Sequence, residues 1–531
     1  MKYIKNITTT RLVVFTSVFL TLFYNTKFFK NTTAIYPVLP VNIPFLISVA
    51  VIFTSLIVFS ITLISSKYTT KPVLVFILMV SSLAAYFMNA YNIIIDDTMI
   101  QNIIETDVSE SMDLFSFKLL VYFLLLGILP SICIYKINIE YGSLKTELLR
   151  KMKVIVISFT IIVIMLFVFS KFYTSFFREH KPLRYYTNPA GWIYAVEKSI
   201  TNIFNDDRIV VTSIGTDAKI PSTDTDRELI ILVVGEALRA DRLSLNGYRR
   251  ETNPLLAKED VISFSNMYSC GTSTAVSVPC MFSVFDRDEY SNKKGKSTEN
   301  LLDVLTHAGV NILWRENNSS SKGTALRVLY EDFQNPDKNS ICENGECRDE
   351  GMLVGLQEYI NGIQTGDIFI VLHQMGNHGP AYYKRYPKAF EKFTPVCKTN
   401  QLEECSAEEI GNAYDNAVLY TDYFLSKIID LLKKNTPQFE TAMVYFSDHG
   451  ESMGEKGLYL HGLPYYMAPD TQKHIGAIMW FGDSFEIDKN ALKKKSANAF
   501  SQDNLFHTII GLMEIETDVY DQSMDIVNSE E

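Results

Sequence analysis

The chain has 531 residues, too many for one ordinary domain, and 47% of them are apolar. Its formal net charge of −11 argues against nucleic acid as a partner, because a polyanion is met by a basic surface. Apolar runs crowd the first third, and charged and turn residues crowd the rest.

Five stretches, near 11–29, 44–65, 72–95, 117–135 and 154–171, are apolar over the ~20 residues a helix needs to cross a bilayer. Lys2, Lys5 and Arg11 resemble the basic start of a signal peptide. No small-residue cleavage site follows them, however, and four more spans do, so residues 1–171 read as a five-span transmembrane domain. Lys136, Lys145, Arg150, Lys151 and Lys153 lie between spans four and five. Together with the basic N-terminus they put both segments on the cytoplasmic side. Everything after residue 171 is then outside the cytoplasm.

The loop after span three, "DDTMIQNIIETDVSES", lies on that outer side. Its spacing sets Asn102, Thr106 and Glu110 at i, i+4 and i+8, one face of a single helix. That face is either a lipid-headgroup contact or a solvated linker. Residues 172–225 read as a connector. "FYTSFFREHKPLRYY" is aromatic and basic, suited to the membrane interface, and "TDAKIPSTDTDRE" is a polar linker.

From 226 to 531 short apolar strands alternate with helical segments, the pattern of a parallel α/β sheet. The expected strands are "LIILVV", "VNILW", "IFIVLH", "TAMVYF" and "IGAIMWF". Cys133 sits alone in an apolar run. The other six cysteines fall in close pairs, Cys270/Cys280, Cys342/Cys347 and Cys397/Cys405. Such local pairing reads as three short-loop disulfides, which need an oxidising compartment. None of the pairs has the C-x₂-C spacing of a thiolate zinc cluster. The charge asymmetry and the cysteines thus point independently to the same side of the membrane.

In open α/β sheets, sites gather beyond the carboxyl ends of the strands. Here those ends carry Glu236, then Arg315 and Glu316 with Lys322 beyond, then His373 with His378, then Asp448-His449, with His461 in a following loop. One such ending is usually a helix cap or a solvated turn. Four together assemble carboxylates and imidazoles, the ligands zinc takes. His307, His474 and His507 fall within expected elements and read as structural. The stretch "SCGTSTAVSVPC", Ser269 to Cys280, concentrates hydroxyls between two cysteines. No G-x-S-x-G elbow and no triad motif accompanies it, so a metal-activated hydroxyl at the start of a helix near Thr274 fits best. Spacing alone does not choose which hydroxyl it is.

With those residues in view, the chain resembles the lipid A phosphoethanolamine transferases of Gram-negative envelopes, of the mobile colistin-resistance type, in the alkaline phosphatase/sulfatase superfamily. The resemblance rests on "VVGEALRADRLSLNGY", "SCGTSTAVSVPCMFS", "WRENNSSSKG", "LHQMGNHGPAYYKRYP" and "YFSDHGES". It implies an N-terminal five-helix transmembrane domain plus a C-terminal alkaline-phosphatase-like α/β/α sandwich with a central, mostly parallel sheet. By the same resemblance Glu236, Asp448, His449 and Thr274 are zinc ligands, with Thr274 the nucleophile. Lys322, His373, His378 and His461 would bind substrate phosphate or a second zinc. Asn102, Thr106 and Glu110 would contact lipid.

The cofactor implied is Zn²⁺, one tightly bound ion or two. The donor would be phosphatidylethanolamine, the acceptor lipid A, and the protein a monomer of the inner membrane with a periplasmic catalytic domain. The expected outcome is polymyxin and colistin resistance. Two alternatives stand beside it. One is a membrane-tethered phosphoethanolamine or glycerophosphate transferase acting on a core sugar, a glucan or a teichoic-type polymer. The other is a non-catalytic receptor that needs ligands but no nucleophile.

Overall fold

Apolar sequence and tertiary clasps together shape the N-terminal helices. In the computed structural model, which describes residues 7–106, 108–205, 210–343 and 345–528, four helices are long and apolar enough to cross a membrane. They are Ile43–Ile64, Thr70–Ala90, Phe117–Lys136 and Leu144–Val168. The pair Thr9–Tyr24 and Thr26–Ile35, bent by 62°, makes a fifth if it is one span. The sequence suggests a single run over 11–29. The bend falls at Asn25, which is buried. Its Nδ2 donates to the Leu20 and Asn188 carbonyls at 3.0 and 2.7 Å, and its Oδ1 accepts from the Asn188 N–H at 2.8 Å. A short amide side chain competes with helical backbone bonding, and here it wins.

Contacts divide the chain into Met1–Ile100 with Phe115–Asn202, and Gln101–Leu114 with Ile203–Glu531. Gln101–Leu114, in the segment between the helices Thr70–Ala90 and Phe117–Lys136, therefore belongs with the C-terminal unit. The segment is not one helix. It forms Asp97–Glu105 and Val108–Leu114, so Asn102 and Thr106 do not continue onto one face with residue 110. The first helix closes at Thr106, whose N–H and Oγ1 both bond the Asn102 carbonyl, at 2.8 and 2.6 Å. The Glu110 side chain lies outside the described residues.

The C-terminal unit is built on an eight-stranded sheet. Its strands in chain order are β1 (Glu228–Gly235), β2 (Ile262–Tyr268), β3 (Asn311–Glu316), β4 (Leu329–Asp332), β5 (Ile368–His373), β6 (Glu440–Ser447), β7 (His474–Phe481) and β8 (Phe500–Ser501). Their spatial order is β8-β2-β7-β6-β1-β5-β3-β4. β7 runs against both of its neighbours, and the other pairings are parallel. The central strands are apolar at every position because helices cover both faces. Ile230, Leu232 and Val234 face one core with Phe369, Val371 and Val444. Leu229, Ile231 and Val233 face the other with Ile370, Leu372 and Met443. Helices Leu301–His307 and Leu505–Leu512 pack into the first core, and Ala407–Asn435 into the second. Slipping one strand by a residue would exchange its two faces, each holding several side chains worth about 1.5–3 kcal/mol of burial. The register is thereby pinned, and the strand ends are level: Gly235 pairs with Ser447, and His373 with both Val234 and Glu316.

At the opposite, amino end of the sheet, Glu228 opens β1 and Asp367 precedes β5. Both are buried. Burial and then the Asp367 charge push the Glu228 carboxyl up to about 9, and Asp367 is raised as well, chiefly by burial. The folded protein therefore holds a proton that the unfolded chain releases near the ordinary Glu value. Stability should be greatest below that value and fall as pH rises toward about 9. Glu228→Gln should flatten that decline and raise the unfolding temperature at alkaline pH, measured by thermal unfolding across the pH range.

Candidate active site

Four side chains meet at the carboxyl end of the sheet. Glu236 follows β1, Asp448 and His449 follow β6, and Thr274 opens the helix Thr274–Met281. The Thr274 Oγ1 is 3.2 Å from Glu236 Oε2 and 3.4 Å from His449 Nε2. His449 Nε2 is also 3.4 Å from Glu236 Oε1 and 3.2 Å from Asp448 Oδ2. Donors at ~2.0–2.1 Å around a tetrahedral ion stand about 3.3 Å apart, and these separations match. Glu236 Oε1 and Asp448 Oδ2 are buried and accept no hydrogen bond. Burial and then Asp448 push Glu236 up to about 7, against the pull of His378 and His461. A buried pair of carboxylates with unused oxygens is the donor set a divalent cation neutralises.

The surrounding backbone aims each group. His449 Nδ1 lies 2.8 Å from the Gly450 carbonyl, so that nitrogen carries the proton and Nε2 presents its lone pair toward Thr274. Asp448 Oδ1 accepts from the backbone N–H groups of Ala237 (3.0 Å) and His449 (2.7 Å), leaving Oδ2 for the centre. Asn318 Nδ2 donates to Glu236 Oε2 at 2.8 Å. The Cys270–Cys280 disulfide closes the loop that carries Thr274, and Gly271 N–H donates to Ser277 Oγ across its base at 3.0 Å. A Cβ at Gly271 would crowd both Ser277 and Val276.

The other expected residues divide into two groups. His461 can offer an atom within 4.8 Å of those from Glu236 and His449. Its ring lies 4.0 Å from that of His449 and 6.3 Å from that of His378. Its Nδ1 is fixed by Glu451 at 2.9 Å, and Glu451 also takes the Tyr382 hydroxyl. His373 is fully buried behind the centre, with Nδ1 against Glu316 at 2.9 Å and no hydrogen bond at Nε2. Burial lowers its pKa, but Glu316 outweighs that and the net shift is upward. Lys322, held at φ 51, points elsewhere. Its Nζ is 3.8 Å from Glu105 in a cavity of about 370 Å³ that also reaches Ala275, next to Thr274. Asn102 and Thr106 lie on the segment that supplies Glu105.

His307, His474 and His507 bond Glu299, the Ser265 carbonyl and the Asp521 N–H respectively, away from the centre. The expected cysteine pairs Cys270–Cys280, Cys342–Cys347 and Cys397–Cys405 are all disulfides, and Cys133 is unpaired. Of the six paired cysteines, only Cys270 and Cys280 border the loop that carries Thr274. Cys342 and Cys347 face each other across a two-strand hairpin. Cys397 and Cys405 close a loop just ahead of the helix Ala407–Asn435, where Cys397 is buried in the second core and the half-buried Cys405 packs against it. These four cysteines therefore brace the fold and supply nothing to the centre.

Several residues that build the site carry no distinguishing mark in the sequence. Asn318 lies inside the quoted "WRENN" but follows the strand end by two residues. Gln502 precedes a late helix, far from every motif. Its Nε2 donates to the Ser447 and Asp448 carbonyls, both at 2.8 Å, and its Oε1 accepts from the Cys270 N–H at 2.7 Å. It joins the loop of the threonine to the loop of the aspartate.

Such a sheet, with a hydroxyl facing carboxylates and an imidazole, defines a sulfatase-type fold, and the family model described as Sulfatase matches residues 228–515. The model for phosphoethanolamine transferase EptA/EptB matches residues 52–203. The chain is 41% identical over 520 residues to the phosphatidylethanolamine transferase Mcr-1 of Escherichia coli, covering 96% of this chain and 95% of that one. It is 39% identical over 527 residues to the phosphoethanolamine transferase EptA of E. coli K12, covering 96% and 95%. The integral membrane lipooligosaccharide phosphoethanolamine transferase A of Neisseria meningitidis superposes with a TM-score of 0.95 at 35% identity, covering 99% of each chain. The chain belongs to the phosphoethanolamine transferase family.

Replacing Gln502 by Leu would strand two buried carbonyls and an N–H. Each unsatisfied group costs about 1–3 kcal/mol. Gln502→Leu should therefore lower the thermal unfolding temperature of the purified chain clearly, and Gln502→Glu, which keeps the acceptor to Cys270 but turns a carboxylate oxygen toward the two carbonyls, should lower it as well.

Proposed function

We infer that the chain transfers phosphoethanolamine from phosphatidylethanolamine to a phosphate of lipid A, from the outer face of the inner membrane. The observation that carries this is the Thr274 hydroxyl facing Glu236 and His449 within 3.4 Å, in a chain that matches phosphoethanolamine transferases over nearly its whole length. Thr274 Oγ attacks the phosphorus of the donor. The new O–P bond forms as the bond to the glycerol oxygen breaks, and diacylglycerol leaves with a proton. Thr274 then carries the phosphoethanolamine. A lipid A phosphate oxygen attacks the same phosphorus as the bond to Thr274 Oγ breaks, and that oxygen takes up the proton the acceptor phosphate gives up, restoring the hydroxyl.

Glu236, Asp448, His449 and Thr274 Oγ1 would hold Zn²⁺, which supplies a lowered pKa for the hydroxyl and a counter-charge for the phosphoryl oxygens. His461, its ring 4.0 Å from that of His449, and His378, 6.3 Å from His461, suit the substrate phosphate or a second ion, with the fully buried His373 a further candidate. Lys322 suits an anionic group entering through the cavity beside Ala275. The spanning helices keep the site at the bilayer, where both substrates are concentrated and a lipid competes well with water. Each transfer sets an ammonium beside a lipid A phosphate and weakens the attraction of cationic peptides, so polymyxin and colistin resistance is the expected phenotype.

Lipid A mass spectrometry of cells expressing the intact chain should show added phosphoethanolamine, and Thr274→Ala should abolish it. Unmodified lipid A in the presence of another modified envelope polymer would reassign the acceptor. Purified wild-type chain should carry zinc by elemental analysis, and Glu236→Ala and Asp448→Ala should lose it while keeping the wild-type circular dichroism spectrum. Zinc retained by both variants would contradict the ligand set.

A further inference from the structure

Arg385 is almost fully buried and donates from all three of its nitrogens to three separate parts of the chain. Nε bonds the His378 carbonyl at 2.8 Å. Nη1 bonds Glu346 at 2.5 Å, on the hairpin closed by Cys342–Cys347. Nη2 bonds Asp113, in the segment between the spanning helices Thr70–Ala90 and Phe117–Lys136. Asp113 is itself buried and also takes Lys384, and its backbone carbonyl accepts from Asn400 Nδ2 at 2.7 Å. Burial would raise the Asp113 carboxyl, but Arg385 and Lys384 outweigh it and hold it below the ordinary range. Asp113 is thus a permanent anion at its post.

The same segment is fastened at its other end. Gln101 Oε1 accepts from Asn292 at 2.6 Å, and Glu105 faces Lys322 at the cavity beside Ala275. Its polar residues therefore face the catalytic unit at both ends. Its apolar ones do not: Ile103, Ile104 and Met112 are exposed by 57%, 64% and 64%. The spanning helices Thr70–Ala90 and Phe117–Lys136 lie on either side of this segment in the chain, so connectivity ties both of its ends to the bilayer, Met112 within five residues of it. Exposed branched and thioether side chains there match acyl chains rather than water.

We propose that the Asp113–Arg385 pair is a latch that straps this segment across the catalytic unit, so that it presents an apolar edge to the acyl chains of the lipid substrate while Arg385 sets the position of the His378 loop. The proposal rests on the transferase reading above, and to the lipid contact expected of this segment it adds the pair that holds the segment in place. Asp113 and Arg385 are positioning residues: neither touches Thr274, and the pair acts through the segment and through His378. A lysine at 385 would keep the charge but not serve three partners at fixed angles.

The test uses the full chain in vesicles of phosphatidylethanolamine with lipid A, reading diacylglycerol release against donor mole fraction. Asp113→Asn should raise the half-saturating mole fraction about ten-fold and leave the saturating rate within about two-fold, as loss of substrate positioning does. Asp113→Glu should restore the wild-type value, and Arg385→Lys should not. A fall in saturating rate with unchanged half-saturation, or no change in either, would overturn the latch. If Asp113→Asn shows no cooperative unfolding transition, Lys384→Met decides. It should raise the half-saturating value about three-fold, and an unchanged value would overturn the proposal. Wild-type chain that releases no diacylglycerol and leaves lipid A unmodified would instead overturn the transferase reading.

Discussion

The structure depends on a cost that must be offset: two carboxylates, Glu236 and Asp448, are buried at the end of a sheet with oxygens that accept no hydrogen bond. Isolated buried charge is tolerated only when something opposes it. The sheet supplies rigidity for that purpose. Neighbouring strands are held in register by two apolar cores, so the residues just past them cannot drift apart. The disulfide-closed loop brings Thr274 to the same point, and Gln502 ties that loop to Asp448. Four donors fixed at the spacing of a tetrahedral ion would make the hydroxyl among them the nucleophile of the proposed transfer by position. No separate base is needed to explain its place.

The supporting groups act by fixing orientation. Gly450 sets the His449 tautomer, Glu451 orients His461, and Glu316 orients His373. In each, one ring nitrogen is held by that partner and the other is not. This division, in which one nitrogen is anchored and the other is presented, is how imidazoles are commonly readied as ligands. The second half of the site lies farther out. Lys322 and the cavity beside Ala275 sit where the Gln101–Leu114 segment packs, so under the proposed function the groups that would bind substrate and those that would activate the nucleophile are carried by different parts of the chain.

Much of this is legible in the sequence, for a physical reason. Strands buried on both faces are continuous apolar runs, and β1, β3, β5, β6 and β7 announce themselves that way. The residues just beyond such a run sit at the sheet edge, so Glu236, His373 and Asp448-His449 can be placed together before any coordinates. The close spacing of Cys397 and Cys405 likewise marks a disulfide, but not that it braces a core rather than a site. β2 escapes because its burial alternates, β4 because it is a mostly exposed edge strand, and β8 because it is two residues long. The reversal of β7 leaves no mark on a strand buried on both faces. The bend at Asn25 and the break after Glu105 are equally silent. Each depends on partners or on a local carbonyl competition that an apolar count does not register. Gln502 is invisible because its role exists only once two distant loops meet.

The central claim, that Thr274 is the residue that takes and passes on the phosphoethanolamine, is tested most directly on the protein itself. Wild-type chain incubated with phosphatidylethanolamine vesicles lacking acceptor, quenched in acid and digested, should yield the peptide around Thr274 bearing one phosphoethanolamine, localised to that side chain by fragmentation. An adduct on Ser273 or Ser277 with Thr274 unmodified, or turnover without any adduct, would contradict it.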